Sequence, residues 1–295
     1  MGMKLGISTY SFVRAIQGGT MSVLDIFDFA KENGAVHVEV VPIGFSLTDP
    51  EVLNAIVRKS NSTGVAISNY AVGGNLLQPN EEAFEKELKR LEGEVDIARQ
   101  LGVTRMRHDI AWRAPAETTS SQFEADFPRL VDGCQRVADY AAQYGIVTSI
   151  ENHGFHVQAS DRVLRIVEAV GRPNFRTTLD TGNFLVIDED PAVIVPRHLP
   201  FASMVHLKDF YYRKFSWQPS RGWGRTAGGR YYRGSIFGCG DLDTMAVLRA
   251  LRDADYDGFV SIEFEGIEDP HVGTLQSLEN AQAIWTAVKE EAGIR

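Results

Sequence analysis

Short apolar, β-branched runs recur along the chain, each followed by a polar or glycine-rich patch and then by a longer stretch whose apolar positions have helical spacing. Eight such runs stand out: Lys4–Thr9, Val36–Val41, Val65–Asn69, Thr104–His108, Ile146–Glu151, Arg176–Asp180, Ser203–Lys208 and Gly258–Glu263. Helical periodicity covers Ser22–Glu32, Pro50–Ser62, Glu81–Leu101, Phe123–Tyr144, Asp161–Val170, Pro191–His198, Leu242–Ala254 and Thr274–Lys289. The helix ends are punctuated. Asp49-Pro50 supplies a cap and a first-turn proline, and Gly34, Gly64, Gly102 and Gly145 stand where helices should stop. Alternating strands and helices without a linker predict one α/β domain over residues 1–295, a (β/α)8 TIM barrel with an extended loop after its seventh strand. A doubly wound sheet is the alternative, but no GxGxxG or GxxxxGK(S/T) turn follows an early run.

Composition narrows the function classes. The 295 residues are 44% hydrophobic and 23% charged, ample for a packed core. With 30 Lys and Arg against 39 Asp and Glu, the net charge of -9 disfavours nucleic acid or an anionic membrane as partner. Two cysteines, Cys134 and Cys239, lack any ligand spacing, which points to structural roles in a reducing cytoplasm. No window approaches the roughly 18 consecutive apolar residues of a membrane span, and the first residues lack the apolar core of a targeting signal.

In a TIM barrel the active site gathers at the C-terminal ends of the strands, so the last polar residue of each run is informative. Ile150-Glu151, Leu179-Asp180, Val205-His206 and Ile262-Glu263 each place an ionisable group directly after an apolar residue, one from each of the last four strands. Converging at one mouth, three carboxylates would repel one another unless a cation lay between them. One divalent metal ion resolves the repulsion. Oxygen-rich ligation with one imidazole suits Mn²⁺ first, then Mg²⁺ or Co²⁺, with Zn²⁺ as a further occupant.

The motifs IENHG (Ile150–Gly154), LDTGN (Leu179–Asn183), HLKD (His206–Asp209), GCGDLD (Gly238–Asp243) and IEFEG (Ile262–Gly266) resemble the sugar phosphate isomerase/epimerase superfamily. These are xylose isomerase-like TIM barrels that include ketose 3-epimerases, inosose dehydratase and hydroxypyruvate isomerase. The resemblance implies that Glu151, Asp180, His206 and Glu263 hold the metal, and that Glu151 and Glu263 are the catalytic carboxylates exchanging protons with the substrate. Two carboxylates on opposite faces of a sugar give epimerisation; return of the proton to the neighbouring carbon gives isomerisation; expulsion of a β-hydroxyl gives dehydration. Asn183 stands where ketose 3-epimerases carry His, and an amide cannot relay a proton. A dehydratase therefore remains the alternative to an isomerase or epimerase.

Further contacts to a small-molecule carbohydrate are expected from Glu39, His108, His153, Asn183 and Lys208, with Asp209 orienting His206 or Lys208 from behind. Arg107 is expected at the mouth or in an ion pair with Asp109 or Glu151, and His37, His198 and His271 in ordinary loop or helix positions. His206 and Glu263 stand more than twice as far apart in the chain as Asp180 and His206, which exposes an insertion at 210–234. It holds eight aromatic and six basic residues and no acidic one, and is expected to form a lid whose arginines bind phosphate, carboxylate or hydroxyl groups. Arg233 matches an epimerase substrate contact only with a one-residue shift. The alternative for this segment is an arm that joins subunits of a homo-oligomer. An endonuclease IV-like repair enzyme would need about three zinc ions, whereas the ligands here suffice for one. A sugar-binding barrel without turnover is the third reading.

Overall fold

The computed structural model describes residues 2–294. Eight parallel strands close a barrel: β1 (Lys4–Ser8), β2 (His37–Val40), β3 (Ala66–Val72), β4 (Arg105–His108), β5 (Val147–Glu151), β6 (Phe175–Asp180), β7 (Ala202–Leu207) and, after three strands outside the barrel, β11 (Phe259–Ile262). Around the ring β7 lies between β6 and β11, and β1 joins β11 to β2. This is the predicted TIM barrel, and its strands fall within a residue or two of the runs read from the sequence, except that β3 continues to Val72, three residues past Asn69.

Among the described residues, ten α-helices accompany the strands: α1 (Val13–Gln17), α2 (Val23–Glu32), α3 (Pro50–Thr63), α4 (Glu81–Leu101), α5 (Ser120–Ala142), α6 (Ser160–Val170), α7 (Asn183–Val186), α8 (Pro191–His198), α9 (Thr244–Asp253) and α10 (Pro270–Glu291). The larger ones bury Phe27, Phe84 and Phe123 against the barrel. Local chemistry sets their ends. Ser22 and Asp25 form a reciprocal capping box at α2, Asn80 caps α4, and Gly64 and Gly102 close α3 and α4 with φ of 77° and 74°. The two helices absent from the sequence pattern, α1 and α7, are single turns too short to carry periodicity.

The 210–234 segment is more ordered than a loop. β8 (Asp209–Arg213), β9 (Gly224–Arg225) and β10 (Tyr231–Ser235) form a separate antiparallel sheet in the order β8-β10-β9. Asp188, which follows α7, accepts hydrogen bonds from Tyr212 Oη (2.7 Å) and the Gly228 amide (2.6 Å), tying this arm to the barrel mouth.

His37 is not a loop residue. It is fully buried in β2, with Nε2 3.0 Å from the Lys4 carbonyl and 3.1 Å from the Val260 carbonyl. A Cβ on Gly6 would lie 2.3 Å from the His37 carbonyl, so glycine is what lets β1 approach. Among the described residues, no helix is long and apolar enough to cross a membrane.

Candidate active site

Glu151, Asp180 and His206 end or nearly end β5, β6 and β7, and Glu263 follows β11, so adjacent strands deliver the four side chains to one point. All four residues are buried, and one ligand atom from each lies within 4.8 Å of all the others. His206 Nδ1 is 3.6 Å from Glu263 Oε2 and 3.9 Å from both Glu151 Oε2 and Asp180 Oδ2.

Neighbouring groups orient each ligand. Glu39 Oε2 lies 2.8 Å from His206 Nε2, while its Oε1 accepts a hydrogen bond from Asn69 Nδ2 at 2.7 Å. Asp180 Oδ1 accepts the Gly182 and Asn183 amides, both at 2.8 Å, which is how α7 begins beside it. Asn183 Nδ2 donates to Glu151 Oε1 at 2.9 Å, and Arg107 Nη2 lies 2.7 Å from Glu151 Oε2. Lys208 Nζ sits 2.7 Å from Glu263 and 3.0 Å from Asp180.

The charges answer to this packing. Burial, only partly offset by Lys208, pushes Asp180 up to about 6. Burial would raise Glu263 as well, but Lys208 and His206 outweigh it and hold that carboxyl well below the usual range. Burial alone would lower His206, yet Glu39 and Glu263 lift it well above 6.5. The donor set fits a divalent cation: three carboxylates surround an imidazole whose buried Nδ1 makes no hydrogen bond, and whose other nitrogen faces an orienting carboxylate.

Above this cluster opens a cavity of about 540 Å³, a size usual for small-molecule sites. Glu151, His153, Asn183, His206, Lys208 and Glu263 line it. Three other expected contacts lie elsewhere. Glu39 is buried behind His206. In β4 successive side chains alternate, so Arg107 faces the cavity and His108 turns away, its Nδ1 3.2 Å from the Asp109 carbonyl. Alternation in β10 likewise brings Tyr232 to the cavity and leaves Arg233 between the rings of Tyr211 and Trp223, 5.1 Å and 5.0 Å from their centres.

Asp209 touches neither His206 nor Lys208. It accepts the backbone amides of Phe210, Gly238, Gly240 and Leu242 and so folds the turn that follows the arm. The orienting role belongs to Glu39 instead. Tyr10, two residues past β1, also lines the cavity; burial first, and then Glu265, push its phenol up to about 12. The strand-end rule applied to the first run, Lys4–Thr9, stops one residue short of it, at Thr9, whose hydroxyl donates to the Val41 carbonyl. Gln158 completes the wall, accepting the Phe155 amide and donating to the Asn183 carbonyl.

The family profile described as "Xylose isomerase-like TIM barrel" matches residues 27–284. Inosose dehydratase of Geobacillus kaustophilus (strain HTA426) is 27% identical over 237 residues, which is 76% of this chain and 74% of that protein. Inosose dehydratase of Lacticaseibacillus casei is 25% identical over 146 residues, about half of each chain. Among solved structures, L-ribulose 3-epimerase superposes with a TM-score of 0.75 at 14% identity, covering 99% of this chain and 97% of that one. The 3-keto-D-glucoside 4-epimerase YcjR from E. coli superposes with a TM-score of 0.71 at 20% identity, covering 96% and 100%. At such identities the superpositions establish the shared fold.

Proposed function

The chain belongs to the xylose isomerase-like TIM barrel family, and from that premise we propose that it is a divalent-metal-dependent isomerase or epimerase acting on a ketose, sugar phosphate or keto-sugar through an enediolate. One observation carries the reading: Glu151 and Glu263, delivered by the outer two of four adjacent strands, line a single cavity with His206 between them and Asp180 directly beneath. Glu151, Asp180, His206 and Glu263 would hold the metal, which when bound supplies Lewis-acid polarisation of the substrate carbonyl. The chain itself moves the proton. One of the two glutamates removes it from the carbon beside the carbonyl, and the other, entering the step protonated, delivers its own proton to the opposite face. Return to the adjacent carbon instead exchanges aldose and ketose. Lys208 pins the Glu263 carboxylate at 2.7 Å, and Arg107 with Asn183 pins that of Glu151, so neither needs to be ordered during the reaction. The neutral Tyr10 phenol is a hydrogen-bond donor for a substrate oxygen.

Dehydration is the second reading, favoured by the inosose dehydratase relatives and by Asn183, which cannot relay a proton. Here one carboxylate takes the α-proton, the β carbon–oxygen bond breaks, and the departing hydroxyl leaves as water on protonation. Incubation of the metal-loaded protein with ketoses, sugar phosphates, 3-keto sugars and inososes in D₂O, followed by NMR, separates the two. Deuterium at one carbon with the skeleton intact supports the isomerase or epimerase; a deoxy 1,2-diketone, the tautomer of the first-formed hydroxy-enone, supports the dehydratase. Full activity after complete metal removal would falsify both.

A further inference from the structure

Three Lys and Arg side chains line the cavity, each already enclosed by carboxylates, and the two histidines of the wall face carboxylates as well, His153 with Asp109 at 3.7 Å and His206 with Glu263 at 3.6 Å. Arg90 lies 2.8 Å from Glu87 and 3.1 Å from Glu94. Arg107 lies 2.7 Å from Glu151 and 3.2 Å from Asp109. Lys208 meets Glu263 and Asp180, with Glu265 at 3.4 Å. Five of these carboxylates, Glu94, Asp109, Glu151, Glu263 and Glu265, belong to the cavity wall, and Asp180 lies directly beneath. Two positive charges from a bound divalent ion would still leave carboxylates in excess.

The basic arm does not change that balance. Among the described residues it contributes only Tyr232 to the cavity. Arg213 pairs with Asp241, Arg230 lies beside Asp188 and Tyr212, and Arg233 is held between two aromatic rings. Arg221 and Arg225 are exposed, so none of the phosphate-binding forks expected from the sequence lines the cavity.

A phosphate or carboxylate group needs a cation or a cluster of N–H donors with free capacity. In this cavity it would have to break an existing ion pair and then sit in a field of net negative charge. A hydroxyl group meets neither obstacle, because it donates to a carboxylate and accepts from a guanidinium or ammonium without adding charge. Val41, Ile43, Val72 and Val186 also line the cavity and offer apolar surface to the C–H face of a ring.

We infer that the cavity takes an uncharged polyhydroxy carbonyl compound, a neutral ketose, keto-glycoside or cyclic ketopolyol, and rejects its phosphorylated or carboxylated counterpart. This rests on the sugar reading above and narrows it.

The test pairs neutral and anionic compounds: D-fructose with D-fructose 6-phosphate, D-xylulose with D-xylulose 5-phosphate, and a 3-keto-glucoside with the 3-keto-glucuronide. Each is offered to the metal-loaded protein, with deuterium exchange and calorimetric binding as readouts. A preference of about 30-fold or more for the neutral member of the pair that reacts best supports the inference. Equal or better use of an anionic member overturns it and leaves the sugar reading intact. Neither exchange nor binding with any compound overturns the sugar reading itself. Asp109→Asn releases Arg107 from one of its two carboxylates and is expected to narrow the preference by about tenfold. An unchanged preference in that variant would show that paired cations are not its origin.

Discussion

Glu39 shows how far a residue's role depends on what stands across the barrel from it. Its carboxylate meets His206 Nε2 at 2.8 Å, which leaves Nδ1 directed at the three other candidate ligands. Glu39→Ala should therefore lower the affinity for Mn²⁺ by about 10- to 100-fold with the circular dichroism spectrum unchanged, as measured by calorimetric titration. Glu151→Gln and Glu263→Gln keep the side-chain shape and remove the base, so turnover in the D₂O assay should fall by roughly 10²- to 10⁴-fold in each. The four candidate ligands were legible because each follows an apolar residue at a strand end, a relation between neighbours in the chain. The partnership of Glu39 with His206 was not. It joins β2 to β7 across the barrel, and the adjacent Asp209 was the obvious but mistaken choice. His108 and Arg233 fail for a related reason: one position along a strand reverses the direction of the side chain, and the sequence marks the strand more clearly than its inward face.

At the level of elements, the barrel was legible because strand and helix each repeat a local pattern, while the arm was not. Its longest pairing sets Asp209–Arg213 against Tyr231–Ser235, with the glycine-rich 222–229 stretch in between, and aromatic content alone does not announce such a register. What holds the arm's base is Asp209, a single carboxylate that accepts four backbone amides, two of them from Gly238 and Gly240. Glycine is required at 240, where a Cβ would stand 2.1 Å from the Asp209 Oδ1 atom. Asp209→Ala leaves the buried amides of Phe210 and Leu242, and the half-buried ones of the glycine turn, without their acceptor and should cost about 3 kcal/mol, read as a lower urea midpoint. Asp209→Asn retains one acceptor oxygen and should recover part of that loss.

Across the whole molecule, acid should unfold this protein through its buried histidines. His37, His108 and His198 lie in separate parts of the fold, fully buried, and burial lowers each of them to about 4. An unfolded chain protonates the same side chains near 6.5. Above pH 6.5 neither state carries the protons and the full stability is present. Between 6.5 and 4 the unfolded state takes them up first, so stability falls with falling pH, by on the order of 3 kcal/mol per histidine at pH 4. Three such terms rival the ~5–15 kcal/mol that holds a typical domain together. Asp180, raised to about 6 in the folded state, acts in the opposite direction as protons are added, whereas His206, raised well above 6.5, gives its contribution in full below pH 6.5 and adds no slope there. Asp180 softens the slope without reversing it, because the three histidines outweigh it and Glu263, held well below its usual range, also loses its stabilising contacts on acidification. His37→Gln can donate to a carbonyl without titrating, so its acid midpoint, followed by circular dichroism from pH 7 to pH 3.5, should move below that of the unaltered chain. A combined His37→Gln and His198→Gln variant should move it further, and an acid transition unmoved in both would rule out buried histidines as its cause.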